Sequence, residues 1–383
     1  MSKIQKTSKK KYFFLFTFLL TIFLIEVLSS SMLLYYYRSN RLTSHFENHN
    51  IFSIPLYFEK FSTLIKNHNS SQKRLVLEKK ELLEISSDNI ISTIEKYDLS
   101  KLSNPYPLYQ PDDYLGFKYN QGQYEIIIRK KVKKKNNYFK FNTLINKDGS
   151  RYTGNYPKNY TGTIYIFGDS FIHGEGVNDE QTLGFLVQNK YKNYRVKLFA
   201  VGGYSTVQAY LNFKKFKKNI TKNDIIILGY GDFYKVRDMA APSRIKVYGA
   251  PSRVMINKNA KHAKASLDIN GEIKVEYISI FCQLNDNYCS KKDPSLTSMN
   301  ILTSSLINYI ANNTEARIFL LHFRGPKTDP VLNMIKKNIK IIHATKKDLF
   351  YFSHDTIMDF DGHPGPFWHY AMHEKIYSAI NKY

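Results

Sequence analysis

The sequence predicts an α/β protein built on a parallel sheet, and three observations lead there. Short apolar runs rich in β-branched and aromatic residues recur at 163–168, 195–201, 224–231, 316–323 and 339–344. Segments of helical period lie between them at 180–190, 205–217, 298–312 and 329–338, with a last one at 367–381. Strict alternation of this kind implies parallel strands with helices on both faces. The third observation is the end of the first run, where Thr163-Ile-Tyr-Ile-Phe breaks at Gly168-Asp169-Ser170. That reads as a buried strand followed by a tight turn presenting a serine, and the carboxyl ends of strands are where open α/β sheets bind ligands.

From the N-terminus, residues 1–11 are polar and carry Lys3, Lys6, Lys9, Lys10 and Lys11. Residues 12–37 are apolar enough and long enough to span a bilayer, and Tyr35-Tyr36-Tyr37 suits an aromatic interface belt. Arg38 and Arg41 alone follow closely, so the positive-inside rule places 1–11 in the cytoplasm and 38–383 outside it. A cleaved signal peptide is the rival, but no Ala-x-Ala-like site follows the long apolar core, which favours an uncleaved anchor. Glu26 inside the span is costly and points to protonation or to a partner helix in the membrane. Residues 38–104 are polar with apolar positions such as Leu75, Leu82, Ile90, Ile91 and Ile94, read as helical stalk or simple spacer. Residues 105–160 form a small β-containing extension: turn chemistry at Pro105-Tyr-Pro and Asn146-Lys-Asp-Gly149 flanks strands at Tyr124–Ile128 and Tyr138–Asn142, with Arg129–Lys135 as a basic hairpin tip. The α/β domain takes 161–383, interrupted at 233–297 by an excursion expected over the site.

The chain has 383 residues, 43% hydrophobic and 15% aromatic, with 30 Tyr and 26 Phe, which excludes wholesale disorder. Its net charge of +24 suits an anionic neighbour such as lipid headgroups or acidic glycan, or else reflects a Lys-rich composition throughout. No nucleic-acid-binding motif accompanies that charge. Cys282 and Cys289 form no C-x-x-C and have no His at zinc spacing, so no metal or organic cofactor is implied. They are a disulfide in an oxidising compartment and two thiols in a cytosol.

Ser170 needs a base, and Asp359-Phe-Asp-Gly-His-Pro364 supplies His363 on a loop that Pro364 keeps from being helical. Asp361 is the candidate to orient that ring, with Asp359 as its rival. His173 is near enough in sequence to line a pocket with Asp169, whereas His322 and His369 read as structural or surface residues.

This part of the chain resembles the SGNH (GDSL-type) hydrolase superfamily of esterases, lipases and glycan deacetylases. The resemblance covers about 163–383 and rests on Gly168-Asp-Ser-Phe171 with its continuation Gly174–Thr182, on Phe199-Ala-Val-Gly-Gly-Tyr-Ser205, and on Asp361-Gly-His-Pro364, in that order. In the continuation, Asp179 is placed to cap the next helix. The resemblance implies a three-layer α/β/α domain of flavodoxin-like type, a Ser170 nucleophile, a His363 base, and an oxyanion hole from the backbone N–H groups of Ser170 and Gly203. The family's third block, Gly-x-Asn, is here Gly229-Tyr-Gly231-Asp232, so Gly231 stands where an oxyanion-donating Asn is usual and an ionised Asp232 cannot replace it. The family's Asp-x-x-His is here Asp-x-His. The expectation is a serine esterase or O-acyltransferase on the outer side of a bacterial cytoplasmic membrane, acting on O-acetyl groups of cell-surface polysaccharide. A glycan-binding assembly protein without activity and a lipase or phospholipase at the membrane surface are the alternatives.

Overall fold

Apolar runs buried on both faces satisfy their backbone only by pairing with one another, and five of them here do so. The structure is a computed structural model and describes residues 92–95, 108–132, 135–248, 259–281, 286–344 and 363–382. The expected cytoplasmic segment 1–11, the expected anchor 12–37, most of the expected stalk, Glu26, Cys282, Asp359 and Asp361 lie outside them. In chain order the strands are β1 (Ser92–Glu95), β2 (Tyr109–Asp112), β3 (Gly116–Tyr119), β4 (Gly122–Val132), β5 (Lys135–Ile145), β6 (Gly162–Gly168), β7 (Tyr194–Ala200), β8 (Ile225–Gly231), β9 (Lys261–Leu267), β10 (Ile273–Ser279), β11 (Arg317–Arg324) and β12 (Lys340–His343). The helices are α1 (Ser170–His173), α2 (Leu183–Lys190), α3 (Thr206–Phe216), α4 (Tyr234–Asp238), α5 (Pro242–Tyr248), α6 (Asp286–Cys289), α7 (Leu296–Asn312), α8 (Pro330–Met334) and α9 (Pro366–Asn381).

The central sheet has the order β12-β11-β8-β6-β7 and every neighbouring pair is parallel. Ile164, Ile166, Phe167, Ile225, Ile226 and Ile227 are buried to 2% exposure or less, each contributing about 1.5–3 kcal/mol relative to an exposed side chain. α2 packs on α9, and α3 on α7. The chain goes from β6 outward to β7, then crosses back over β6 to β8. Right-handed crossovers therefore put α2 and α3 on opposite faces, and the switch point falls at the carboxyl ends of β6 and β8. Register brings the ends level: Gly168 faces Ala200, and Gly231 faces Arg324 across an irregularity after His322.

The extension is two hairpins. β2 and β3 pair antiparallel, as do β4 and β5, and Arg151 bridges β5 to β7. Three expectations are corrected here. Residues 92–95, read with Ile94 as helical, pair in parallel with β4, where a ready-made ladder outweighs a short and ambiguous periodicity. The basic run Arg129–Lys135 does close a hairpin, but the strands reach further than Ile128 and Tyr138: the antiparallel ladder continues to Val132↔Lys135, and only 133 and 134 separate the two strands. The helix expected at 329–338 is shorter, Pro330–Met334, capped by the Asp329 side chain on Val331 N–H. Between β8 and α7 the described residues form α4, α5, the β9–β10 hairpin and α6. Cys289 in α6 is buried and disulfide-bonded, and the sequence holds one other cysteine, Cys282. Among the described residues no helix is long and apolar enough to cross a membrane.

Candidate active site

Ser170 opens α1 directly after β6. Asp169 is the N-cap, its Oδ1 accepting from Phe171 N–H at 3.0 Å. A Cβ on Gly168 would lie 2.4 Å from Ile172 Cβ, so only glycine lets the helix fold back this tightly onto the strand end. The result is a serine that is 5% exposed at the switch point. Nε2 of His363 stands 2.9 Å from its Oγ. His363 is placed by the segment preceding Pro366, the N-terminal proline of α9, and its ring lies against Phe171 with centroids 5.3 Å apart. With Nε2 unprotonated, the hydroxyl donates to it, which is the arrangement of a nucleophile and its general base. The two residues are brought together from positions 193 apart.

Gly203 follows β7 with φ of +93°, in the left-handed region. Its loop is pinned from three elements. Gly202 N–H donates to Tyr119 Oη at 2.9 Å, Tyr248 Oη donates to Gly203 O at 2.7 Å, and Arg237 Nη1 donates to Tyr204 O at 2.9 Å. Among the described residues, neither the N–H of Ser170 nor that of Gly203 meets an acceptor. Two unengaged donors beside a serine are what a developing oxyanion requires. At Gly231 no side chain donates, and a Cβ there would come within 2.7 Å of Phe233 Cε1, so a phenyl ring occupies the direction an Asn side chain would take. Phe171, Phe233 and Phe323 pack together beside it, with Arg324 over the rings of Phe171 and Phe233 at 6.0 and 5.4 Å.

The remaining expected residues separate. Asp169 is fully buried and its Oδ2 faces Arg237 Nη1 at 2.9 Å, so it binds the turn to α4 rather than lining a pocket. His173 is buried too, its Nδ1 against Ala200 O at 2.9 Å and its ring edge-on to Tyr119. Asp232 lies along Gly325, and its N–H donates to Arg324 O. Asp361 and Asp359, the candidates to orient His363, are outside the described residues. His322 meets His343, Nδ1 to Nδ1 at 3.1 Å, and burial lowers the pKa of both. His369 Nδ1 accepts from Leu183 N–H, and burial pushes its pKa down to about 3. Both are structural, as expected. Asp179 pairs with the buried Arg151 at 2.8 Å instead of capping, and Asn178 and Thr182 serve as the caps around it. Arg151 also donates to the carbonyls of His173, Gly174 and Val177, fixing the loop after α1.

Two site residues escape sequence reasoning. Arg237 comes from the excursion, where nothing in its surroundings marks it. Glu175 lies in the quoted continuation of the serine block, and its Oε2 is 3.7 Å from His363 Nε2. Among the described residues no group of three or more His, Cys, Asp or Glu could hold a metal ion.

The fold is the three-layer α/β/α arrangement, on a five-stranded parallel sheet, that the resemblance to SGNH hydrolases implies. No family model matches the sequence, and no curated protein matches it. Similar solved structures include the psychrotrophic esterase EstA from Pseudoalteromonas sp., with 12% identity over 57% of this chain and 97% of that one and a TM-score of 0.31. A lipolytic protein of the G-D-S-L family from Veillonella parvula has 15% identity over 58% of this chain and 100% of that one, at a TM-score of 0.28. An acetylxylan esterase from Geobacillus stearothermophilus has 11% identity over 58% and 95%, at 0.30. At these values the likeness carries no argument, and the description of the fold rests on this chain's own strand order.

Proposed function

We propose that this chain is a serine esterase of SGNH type, anchored by residues 12–37 in a bacterial cytoplasmic membrane and facing outward, that acts on O-acyl groups of cell-surface polysaccharide. One observation carries the esterase reading: Ser170 Oγ at 2.9 Å from His363 Nε2, at the carboxyl end of β6. Ser170 attacks the ester carbonyl as Nε2 takes its proton. The oxyanion faces the N–H groups of Ser170 and Gly203, and the imidazolium returns the proton to the leaving alkoxide. Water or a sugar hydroxyl then releases the acyl group from Ser170. The outward position is supported by the lysines at 3–11 against Arg38 and Arg41. The glycan reading is supported by that position, by the net charge of +24 and by exposed Tyr114, Tyr156 and Tyr160, whose rings suit stacking on sugars.

The test uses the full chain in detergent with a fluorophosphonate probe, an activated acetyl ester and acetylated polysaccharide. Labelling and turnover that vanish in Ser170→Ala and fall steeply in His363→Ala are expected. A preference for long acyl esters would replace the glycan by a lipid substrate. Protease cleavage of 38–383 from outside intact spheroplasts tests the orientation. Gly231, with Phe233 filling its side-chain direction, favours a second reading as a glycan-binding member without activity. A folded wild type that neither labels nor turns over would establish it.

A further inference from the structure

Glu175 places a second carboxylate on the reacting nitrogen of the base. Its Oε2 is 3.7 Å from Nε2 of His363, the same atom that Ser170 Oγ approaches to 2.9 Å. A Cβ on Gly202 would come within 3.2 Å of that oxygen, so the carboxylate lies between the Gly203 loop and the imidazole. The position is built in. Glu175 N–H donates to Ser170 O at 2.9 Å, and Gly174 and Gly176 on either side have φ of +86° and +99°. The chain thus reverses directly after α1, and Arg151 holds the carbonyls of the reversal.

A carboxylate that orients a base acts at the imidazole's other nitrogen, Nδ1. On the Nε2 side, a negative charge opposes the oxyanion and contributes nothing to orienting the ring. Its use comes after Ser170 is acylated, when Oγ no longer donates and Nε2 must receive a new nucleophile. One oxygen at hydrogen-bond distance, about 2.8 Å, from both Nε2 and Oε2 spans the 3.7 Å between them. Water has two hydrogens, one for each acceptor, and keeps a lone pair for the acyl carbon. A simple alcohol has one hydrogen, and with it on Nε2 the carboxylate faces carbon.

We propose that Glu175 holds the hydrolytic water of the deacylation step, so that the site releases its acyl group to water in preference to a hydroxyl acceptor. The proposal rests on the esterase reading. In this step the water oxygen bonds to the acyl carbon and the carbon–Oγ bond breaks. The proton passes from water to His363 Nε2 and then to Ser170 Oγ. Glu175 accepts a hydrogen bond and ends the step unprotonated.

The experiment follows p-nitrophenyl acetate with the full chain in detergent, measuring the acylation burst, the steady-state rate, and the share of acetyl passed to added methanol. In Glu175→Ala the burst rate stays within about threefold, deacylation falls about tenfold or more, and the methanol share rises. Glu175→Gln keeps an acceptor oxygen and loses less. Unchanged deacylation and partition overturn the proposal, as does a burst that falls in step with deacylation. A wild type that delivers acetyl to methanol faster than to water overturns it with no variant needed. A wild type with neither burst nor fluorophosphonate labelling refutes the esterase reading itself, and this inference with it.

Discussion

Replacing Arg237 by methionine removes one cation and isolates one carboxylate. Arg237 Nη1 donates both to Asp169 Oδ2 and to Tyr204 O, each at 2.9 Å, so it ties the residue before Ser170 to the residue after Gly203. Asp169 is fully buried, and its Oδ1 accepts from Phe171 N–H. Breaking a buried pair from one side costs about 3–5 kcal/mol. Trp368 is the only tryptophan and is fully buried, so its fluorescence in a urea titration reads the unfolding directly. The expected result is a loss of about 3–5 kcal/mol at pH 7. Adding Asp169→Asn to the variant should recover most of the loss at pH 7. Because two oxyanion donors flank the tie, kcat should fall about 10²-fold, with KM within about threefold. A loss below about 1 kcal/mol, or one that Asp169→Asn does not relieve, would refute the reasoning.

Asp238 offers a test by pH without touching the site. It is fully buried, accepts from Val207 N–H and Thr303 Oγ1, and burial raises its pKa to about 6. Its contribution is complete below the unfolded pKa near 4 and is lost as pH rises through 6, by about 3 kcal/mol in all. Asp238→Asn should therefore flatten the stability profile between pH 4 and 7 and raise the Trp368-monitored urea midpoint at pH 8; an unaltered slope would contradict this. At the third oxyanion position, Gly231→Asn alone should lower kcat, because its Cβ meets Phe233 at 2.7 Å. Combined with Phe233→Ala, it should raise kcat by about tenfold or more, since one donor is worth about 10²–10³ in rate. Equal kcat in the single and double variants would show that Phe233 is not the obstruction.

The sequence alone determined the five strands of the central sheet, to within a residue or so, because a strand buried on both faces leaves an uninterrupted apolar run. It also singled out Ser170 and His363 as candidates, since each is tied to the end of a local element: a strand that stops at Gly168, and a loop that Pro364 keeps from being helical before α9. Tertiary structure decided what those residues work with. Arg237, Tyr119, Tyr248 and Arg151 reach the site loops across 22 to 83 positions, through contacts from side chain to carbonyl, amide or buried carboxylate. Such contacts leave no period in the sequence, because a single buried donor satisfies them wherever the fold delivers it. Asp169 and His173 show the same limit from the other side. Both are adjacent to the nucleophile in the chain, yet the turn at α1 points them into Arg237 and the end of β7. Glu175 returns beside Ser170 only because two left-handed glycines and Arg151 reverse the chain there.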